Sequence, residues 1–420
     1  MLHSRTHVKL GVLGCLYFVQ GLPFGFQITA LPVYLRQEGV SLSAIGWVGA
    51  LSLPWMLKVL WAPLVDRWGS ARLGRRRSWI LPAQGILGLC CAAAAMRPES
   101  AGLGGLLILI FLMNLAAATQ DIAVDGYAAD VLAPDELGPG NAAQVVGYKL
   151  GMLTGGGLLL WVSQYIGWSG LFWTMASLVA GVWMVVFWMR ESPMVEEREP
   201  PGTVGEVIRV TASSLWRRTG LWMLLVVGTY KTGESMVDVM FKPFLVDAGF
   251  SAGDIGLWVG TWGQAFSILG SLIGGWLAFR FSISRALLVV AALRVIPLVG
   301  IWALTLSPFG ATAVIGVTCA ENLFGGALTT VMFALMMRSV DRRVGATHFT
   351  ALAALEVLGK SPGSWLSGVL ADQAGYGAVF ALGCVLSVGY VALVAWAGAR
   401  GALRLRAPLE ESAERGMIQP

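Results

Sequence analysis

Residues 103–130 read LGGLLILIFLMNLAAATQDIAVDGYAAD, a run apolar enough to dissolve in lipid that still carries Asn114, Asp121 and Asp125. Asp121 and Asp125 are four residues apart and share one face of a helix, with Asn114 seven residues before Asp121 on the same stripe. A charge at the centre of a bilayer costs about 2.5–3.5 kcal/mol on insertion scales. Two carboxylates are therefore kept there only where they meet water, a counter-charge or a substrate, and the stripe is a candidate site.

The rest of the composition agrees with a chain built for lipid. Of 420 residues, 56% are hydrophobic and only 13% charged, with a mean hydropathy of +0.71, which excludes a water-soluble domain of this size. The net charge of +5 sits in short connectors between apolar runs, so it reads as a topology signal rather than a nucleic-acid surface. Cys15, Cys90, Cys91, Cys319 and Cys384 all lie in apolar segments without CxxC spacing, which argues against a disulfide framework or a zinc site. No metal and no cofactor is expected. The basic start, Met1 to Lys9, leads into a long apolar run and reads as a signal anchor rather than a cleaved signal peptide.

Runs of the length needed to cross a bilayer fall near 8–30, 43–65, 78–97, 103–130, 141–164, 169–190, 220–242, 254–279, 285–306, 310–337, 345–370 and 376–399. The expected fold is an all-α membrane protein with twelve transmembrane helices in two parallel six-helix bundles. Arginines crowd alternate connectors, which places both termini in the cytoplasm. The proline-bearing segment 191–218 is the expected cytoplasmic linker between an N-terminal bundle, 1–190, and a C-terminal bundle, 219–400, followed by a cytoplasmic tail, 401–420. The halves repeat. Gly39 to Gly46 aligns with Gly249 to Gly256, and Gly151, Gly155, Gly167 and Phe172 align with Gly359, Gly363, Gly375 and Phe380. A near-constant offset across an even number of spans predicts parallel bundles with a solute path between them.

Further charges fall within the spans. Lys149 lies at the depth of Asp121, so an Asp121–Lys149 pair is expected, either at the site or as a static pin between two helices. Lys231, Glu234, Asp238 and Lys242 recur at helical spacing on the seventh span, as a stripe facing the path or as a self-neutralising ladder. Glu321-Asn322, and Glu356 with Lys360, fall near the same level. Arg294, on the ninth span, reads as snorkelling or as pairing with a neighbouring helix, and Lys58 fits either the cavity or a gate. Trp55, Trp61, Trp258, Trp262 and Trp365 lie within spans, where they pack or stack on a solute ring.

After the second span comes Asp66-Arg67-Trp68-Gly69, and past four residues Gly74-Arg75-Arg76-Arg77. This resembles the loop signature of the major facilitator superfamily, with an insert splitting it and Ala62 in place of a usual glycine. The resemblance implies a gating role for Asp66, Arg67, Arg75 and Arg76. Asp66 would face the positive helix end near Gly345-Ala346-Thr347 and latch the cytoplasmic side. Gln120-Asp121-Ile122-Ala123-Val124-Asp125, Gly147-Tyr148-Lys149-Leu150-Gly151, Tyr230-Lys231-Thr232-Gly233-Glu234 and Glu321-Asn322-Leu323-Phe324-Gly325-Gly326 are similar to the peptide–acetyl-CoA transporter group, which includes AmpG-type muropeptide permeases and acetyl-CoA transporters. Ala346-Thr347-His348-Phe349 and Leu355-Glu356-Val357-Leu358-Gly359-Lys360 most resemble its major facilitator superfamily domain-containing protein 3 branch.

The sequence therefore reads as a proton-coupled secondary transporter of a mixed-charge or anionic amphipathic metabolite, muropeptide-like or acetyl-CoA-like. The expected partners are a small-molecule solute, protons and the lipid bilayer, with no nucleic acid. The chain is expected as a monomer, in the inner membrane if bacterial. Asp121, Asp125, Glu234, Glu321 and Glu356 are the proton-coupling candidates. Asn114, Lys149, Lys231, Asp238, Asn322, Lys360 and Trp262 are the solute-binding candidates. A siderophore or other small-metabolite permease is the alternative. An intramembrane prenyltransferase would want a second acid cluster at a membrane surface, and none is evident, so no enzymatic activity is expected.

Overall fold

The structure is a computed structural model that describes residues 2–70, 73–97, 102–132, 136–189, 218–339 and 345–401. The expected tail beyond residue 401, and the linker as far as residue 217, lie outside the described residues. The described chain is almost wholly helical, and seven of its helices are long and apolar enough to cross a membrane. Two of these seven, Ala142–Trp188 and Leu352–Ala399, each hold a sharp bend. At the bends Gly167 (φ 70°, ψ 175°) and Gly375 (φ 78°, ψ 170°) leave helical geometry for a conformation that glycine adopts without steric cost. Each bend divides two successive spans.

In chain order the helices are α1 (2–37), α2 (42–67), α3 (Arg77–Ala95), α4 (Leu103–Val131), α5 (137–166), α6 (168–188), α7 (Arg218–Thr229 and Thr232–Asp247), α8 (252–280), α9 (Ile283–Leu304), α10 (Ala311–Ser339), α11 (345–374) and α12 (376–399). The aligned turns of the two halves share their conformation. Gly39 (φ 76°) and Gly249 (φ 90°) each lead into a serine that caps the next helix. Ser251 forms a full capping box with Asp254, whereas Ser41 accepts from the backbone of Ala44, which has no carboxylate to return the bond.

Glycines set the close crossings. A Cβ on Gly21, Gly151 or Gly155 would strike backbone across the α1–α5 contact, and one on Gly359 would strike Gly228 across α7–α11. Backbones this close gain dispersion energy that longer side chains would prevent. Among the described residues, contact between the halves gathers at one end, where Gly157 lies on Gly260, Gly46 on Ser364 and Trp365, and Gly368 on Leu42. Trp47 stacks on Trp365 there, with centroids 5.0 Å apart.

Two helices depart from the sequence expectation. The span expected at 43–65 is a chain of short α and 3-10 turns, with Pro54 and Pro63 each near the start of a new turn, where a missing N–H costs nothing. The span expected at 220–242 breaks at Tyr230-Lys231 and runs on to Asp247. Lys231 (φ −108°, ψ 0°) caps the second piece rather than lying in a continuous helix.

Candidate functional site

The α4 stripe is built as the spacing requires, but its partners differ from those expected. Asp121 pairs with Lys58 of α2, not with Lys149. The fragmented α2 places the Lys58 ammonium against that carboxylate and 5.6 Å from the Trp55 ring centroid. Asp125 accepts a 2.5 Å hydrogen bond from the Tyr17 hydroxyl of α1. One helical turn thus gives the two aspartates different duties. One is an ion-pair member, 8% exposed, and the other is an exposed carboxylate held by a phenol.

Above them Asn114, fully buried, anchors a chain of neutral hydrogen bonds. The Trp55 indole donates to Asn114 Oδ1 (2.9 Å), Asn114 Nδ2 to Gln27 Oε1 (2.6 Å), and Gln27 Nε2 to Ser52 Oγ (2.8 Å). This fixes the Trp55 ring beside Phe24, which also lies against Tyr148 at 5.9 Å. Trp61 is held by Thr119 Oγ1 at 3.2 Å. Asn114 therefore holds the Trp55 indole in place.

Lys149 reaches across to the other half. Its ammonium donates to Ser271 Oγ (2.8 Å) and Ser267 O (3.4 Å) of α8, and no carboxylate pairs with it among the described residues. Lys231 acts on it electrostatically. Lys231 and Lys360 share one carboxylate, Glu356, at 3.7 and 3.3 Å, and Tyr230 donates to the same oxygen at 3.3 Å. Two ammonium groups on one buried carboxylate leave a local excess of positive charge.

The remaining acids of the C-terminal half meet on Arg294. The guanidinium, 3% exposed, places Nη2 2.5 Å from Glu321 Oε1 and 2.9 Å from Glu234 Oε1, while Nη1 donates to Glu321 O at 2.7 Å. A Cβ at Gly325 would collide with this guanidinium, so the glycine makes room for it. Asn322 donates to Glu321 Oε2 at 2.8 Å and belongs to this cluster. The expected single stripe on α7 is therefore divided: Lys231 faces α11, Glu234 faces α9, and Asp238 pairs with Lys242 on its own helix. Trp262 is 41% exposed on a π-helical stretch of α8.

Of the gating candidates, Arg76 Nε donates to Asp130 at 2.9 Å and Arg75 reaches the same carboxylate at 3.5 Å, at the end of α4. A Cβ at Gly126 would strike the Arg76 guanidinium. The side chains of Asp66 and Arg67, and hence the expected cytoplasmic latch, lie outside the described residues. The described latch is at the closed end. Arg36 forks onto Asp247 with two 2.6 Å bonds, and Tyr376 donates to Asp247 at 2.6 Å. Asp372 accepts from the backbone N–H groups of Leu42 and Ser43 at 3.2 and 2.8 Å, capping α2 from the opposite half.

Two helical bundles that meet along aligned glycines, with charges between and within them, are the geometry of a carrier, and the family model of the Major Facilitator Superfamily matches residues 13–353. The chain belongs to that superfamily. It is a multi-pass membrane protein with the transporter fold of the family. Among its relatives, the anhydromuropeptide permease of Escherichia coli strain K12 is 31% identical over 355 residues, covering 84% of this chain and 72% of the relative. An AmpG 4 relative in Rickettsia conorii is 23% identical over 380 residues, covering 88% and 92%. Among solved structures, the nucleoside transporter NupG superposes with a TM-score of 0.70 at 13% identity, covering 91% of this chain and 98% of that one. A bacterial homolog of the human lysosomal transporter Spinster, in an inward-facing and unoccupied conformation, gives 0.69 at 16%, covering 96% and 99%. These two likenesses speak for the fold.

Within this superfamily member, sequence reasoning missed Tyr17 and gave Arg294 too small a part. An arginine in the middle of an apolar span was the available signal, because such a charge survives only when paired. Nothing in the sequence pointed to Tyr17, since a tyrosine on an apolar helix is common packing.

Proposed function

We propose that this chain is a secondary active transporter, driven by protons, of an anionic amphipathic solute of the anhydromuropeptide type. The observation that carries the reading is Lys149. It is an ammonium without a carboxylate partner among the described residues, tied across the halves to Ser271 and under the influence of Lys231. An unpaired cation at this depth is expensive unless an anion arrives to meet it. The Phe24–Trp55–Tyr148 aromatic group offers a ring platform of the kind that sugars and other rings use. The E. coli relative's name supports the muropeptide class. A coenzyme A ester, with several phosphate charges, would call for arginine forks, yet Arg294 is consumed by Glu234 and Glu321.

In this reading, residues 1–190 and 219–400 rock about the lysines by alternating access. With both termini cytoplasmic, the end joined by Arg36, Asp247 and Asp372 faces away from the cytoplasm. The E. coli relative is a permease, which supports transport without chemistry on the solute. The test is uptake of a labelled anhydromuropeptide into proteoliposomes, with a pH gradient imposed and the membrane potential clamped. Accumulation above equilibrium, abolished by a protonophore, is expected. Equal uptake with and without the gradient would remove proton coupling, and no counterflow of this solute would remove the solute class.

A further inference from the structure

Glu234, Arg294 and Tyr390 surround a cavity lined also by Tyr230, Ala291, Leu328 and Ser387, with about 10 Å³ open to a water centre. That is room for one water molecule, which needs two to four polar partners. Three buried polar atoms here have no hydrogen-bond partner: Glu234 Oε2, Arg294 Nε and Tyr390 Oη. Arg294 and Tyr390 are themselves 3% and 5% exposed. Native structures rarely leave such atoms unsatisfied, so the cavity is built for a small polar occupant.

The charges say which occupant. Arg294 faces two carboxylates, so the cluster carries one surplus negative charge when both are ionised. Both side-chain oxygens of Glu321 are committed, Oε1 to Arg294 and Oε2 to Asn322. Glu234 commits Oε1 to Arg294 and leaves Oε2 free. The groups that bear on Glu234 and its cluster are Arg294 on α9, Glu321 on α10, Lys360 on α11, Tyr390 and Ser387 on α12, and Tyr230 and Asp238 on its own helix. Asp238 is neutralised by Lys242. We propose that Glu234 holds the transported proton on Oε2, in a one-water cavity separate from the solute lysines. This rests on the proton-driven reading above.

Tyr230 touches both sites. It lines the cavity on one side and donates to Glu356, the carboxylate shared by Lys231 and Lys360, on the other. It also stands at the break of α7, next to Lys231, which caps the second piece. Loss of the proton puts a bare carboxylate beside Tyr230, and a shift of Tyr230 alters the hold of Glu356 on both lysines. Proton and anion are thereby linked without sharing a residue.

The test is Glu234→Gln, which mimics the protonated acid, reconstituted in liposomes. Solute counterflow should persist within about twofold of the parent. Accumulation driven by the pH gradient should fall to the equilibrium value. In pH-induced infrared difference spectra of solute-free protein, the protonated-carboxyl band of the parent should vanish in the variant. Accumulation that survives in Glu234→Gln, a band that persists, or a folded variant without counterflow would each overturn the assignment. A parent lacking counterflow of the anhydromuropeptide would instead remove the solute class, and the infrared band would still decide Glu234.

Discussion

Neutralising Asp121 tests the ion pair that replaced the expected one. In Asp121→Asn the Lys58 ammonium keeps a hydrogen-bond acceptor but loses its contact charge. Two unit charges about 4 Å apart interact by about 4 kcal/mol at an effective dielectric of about 20. The Lys58 side chain is 29% exposed and Asp125 still acts on it, so part of this is recovered. The net loss should be about 2–3 kcal/mol, below the range for a fully buried pair. Lys58→Met should be worse, because it leaves Asp121 and Asp125 facing each other without a cation. The double variant should recover part of what Lys58→Met loses. The assay is thermal unfolding of detergent-purified protein together with membrane abundance, read as a double-mutant cycle. Asp121→Asn combined with Lys149→Met should be additive within about 0.5 kcal/mol. Coupling of Asp121 to Lys149, or a Lys58→Met variant as stable as the parent, would refute the reasoning.

Two further outcomes follow from the geometry. Lys149→Gln should raise the KM for an anionic solute by about tenfold or more, the worth of a charge-assisted hydrogen bond, while Ser271→Ala should leave it near the parent value in the same counterflow assay. Asp372→Asn should weaken the cap on α2 by about 1 kcal/mol and open the closed end, read as faster labelling from outside of a cysteine placed at Gly49, beside the Trp47–Trp365 stack.

Much of the fold was legible because lipid imposes a simple rule: apolar runs must be helices long enough to cross. The aligned glycines carried more than packing. Gly167 and Gly375 stand where successive spans reverse, and Gly39 and Gly249 precede matching caps. The internal breaks were less legible. Pro54 and Pro63 hinted at the fragmented α2, but Tyr230-Lys231 contains neither glycine nor proline, and the tertiary contacts of Tyr230 and Lys231 with Glu356 accompany that break. The candidate residues stand out in the sequence because charge within an apolar span is rare. Their pairing does not, because depth alone cannot choose between Lys58 and Lys149. That choice depends on which way α2 turns, and 3-10 turns rotate side chains by a different period from the α-helix.

The charges inside the two halves have a joint meaning that none has alone. The aspartates of α4 exceed their cation Lys58 by one charge, and Glu234 with Glu321 exceeds Arg294 by one. Lys231 and Lys360 exceed Glu356 by one cation, and Lys149 adds another. These described groups are neutral as a set when all are ionised, yet the two signs are segregated. Negative surplus lies beside α4 and inside the C-terminal bundle, and positive surplus lies on the lysines. In a site of low dielectric, bringing in one anion at the lysines therefore leaves a net charge that costs several kcal/mol unless a cation follows. In the proton-coupled reading proposed above, a proton taken by Glu234 restores neutrality at no cost in space. Loading both becomes cheaper than loading either, which is the thermodynamic condition for symport, and it makes the loaded carrier indifferent to membrane potential. This is why a gradient of pH alone, with the potential clamped, should suffice to drive a singly charged solute.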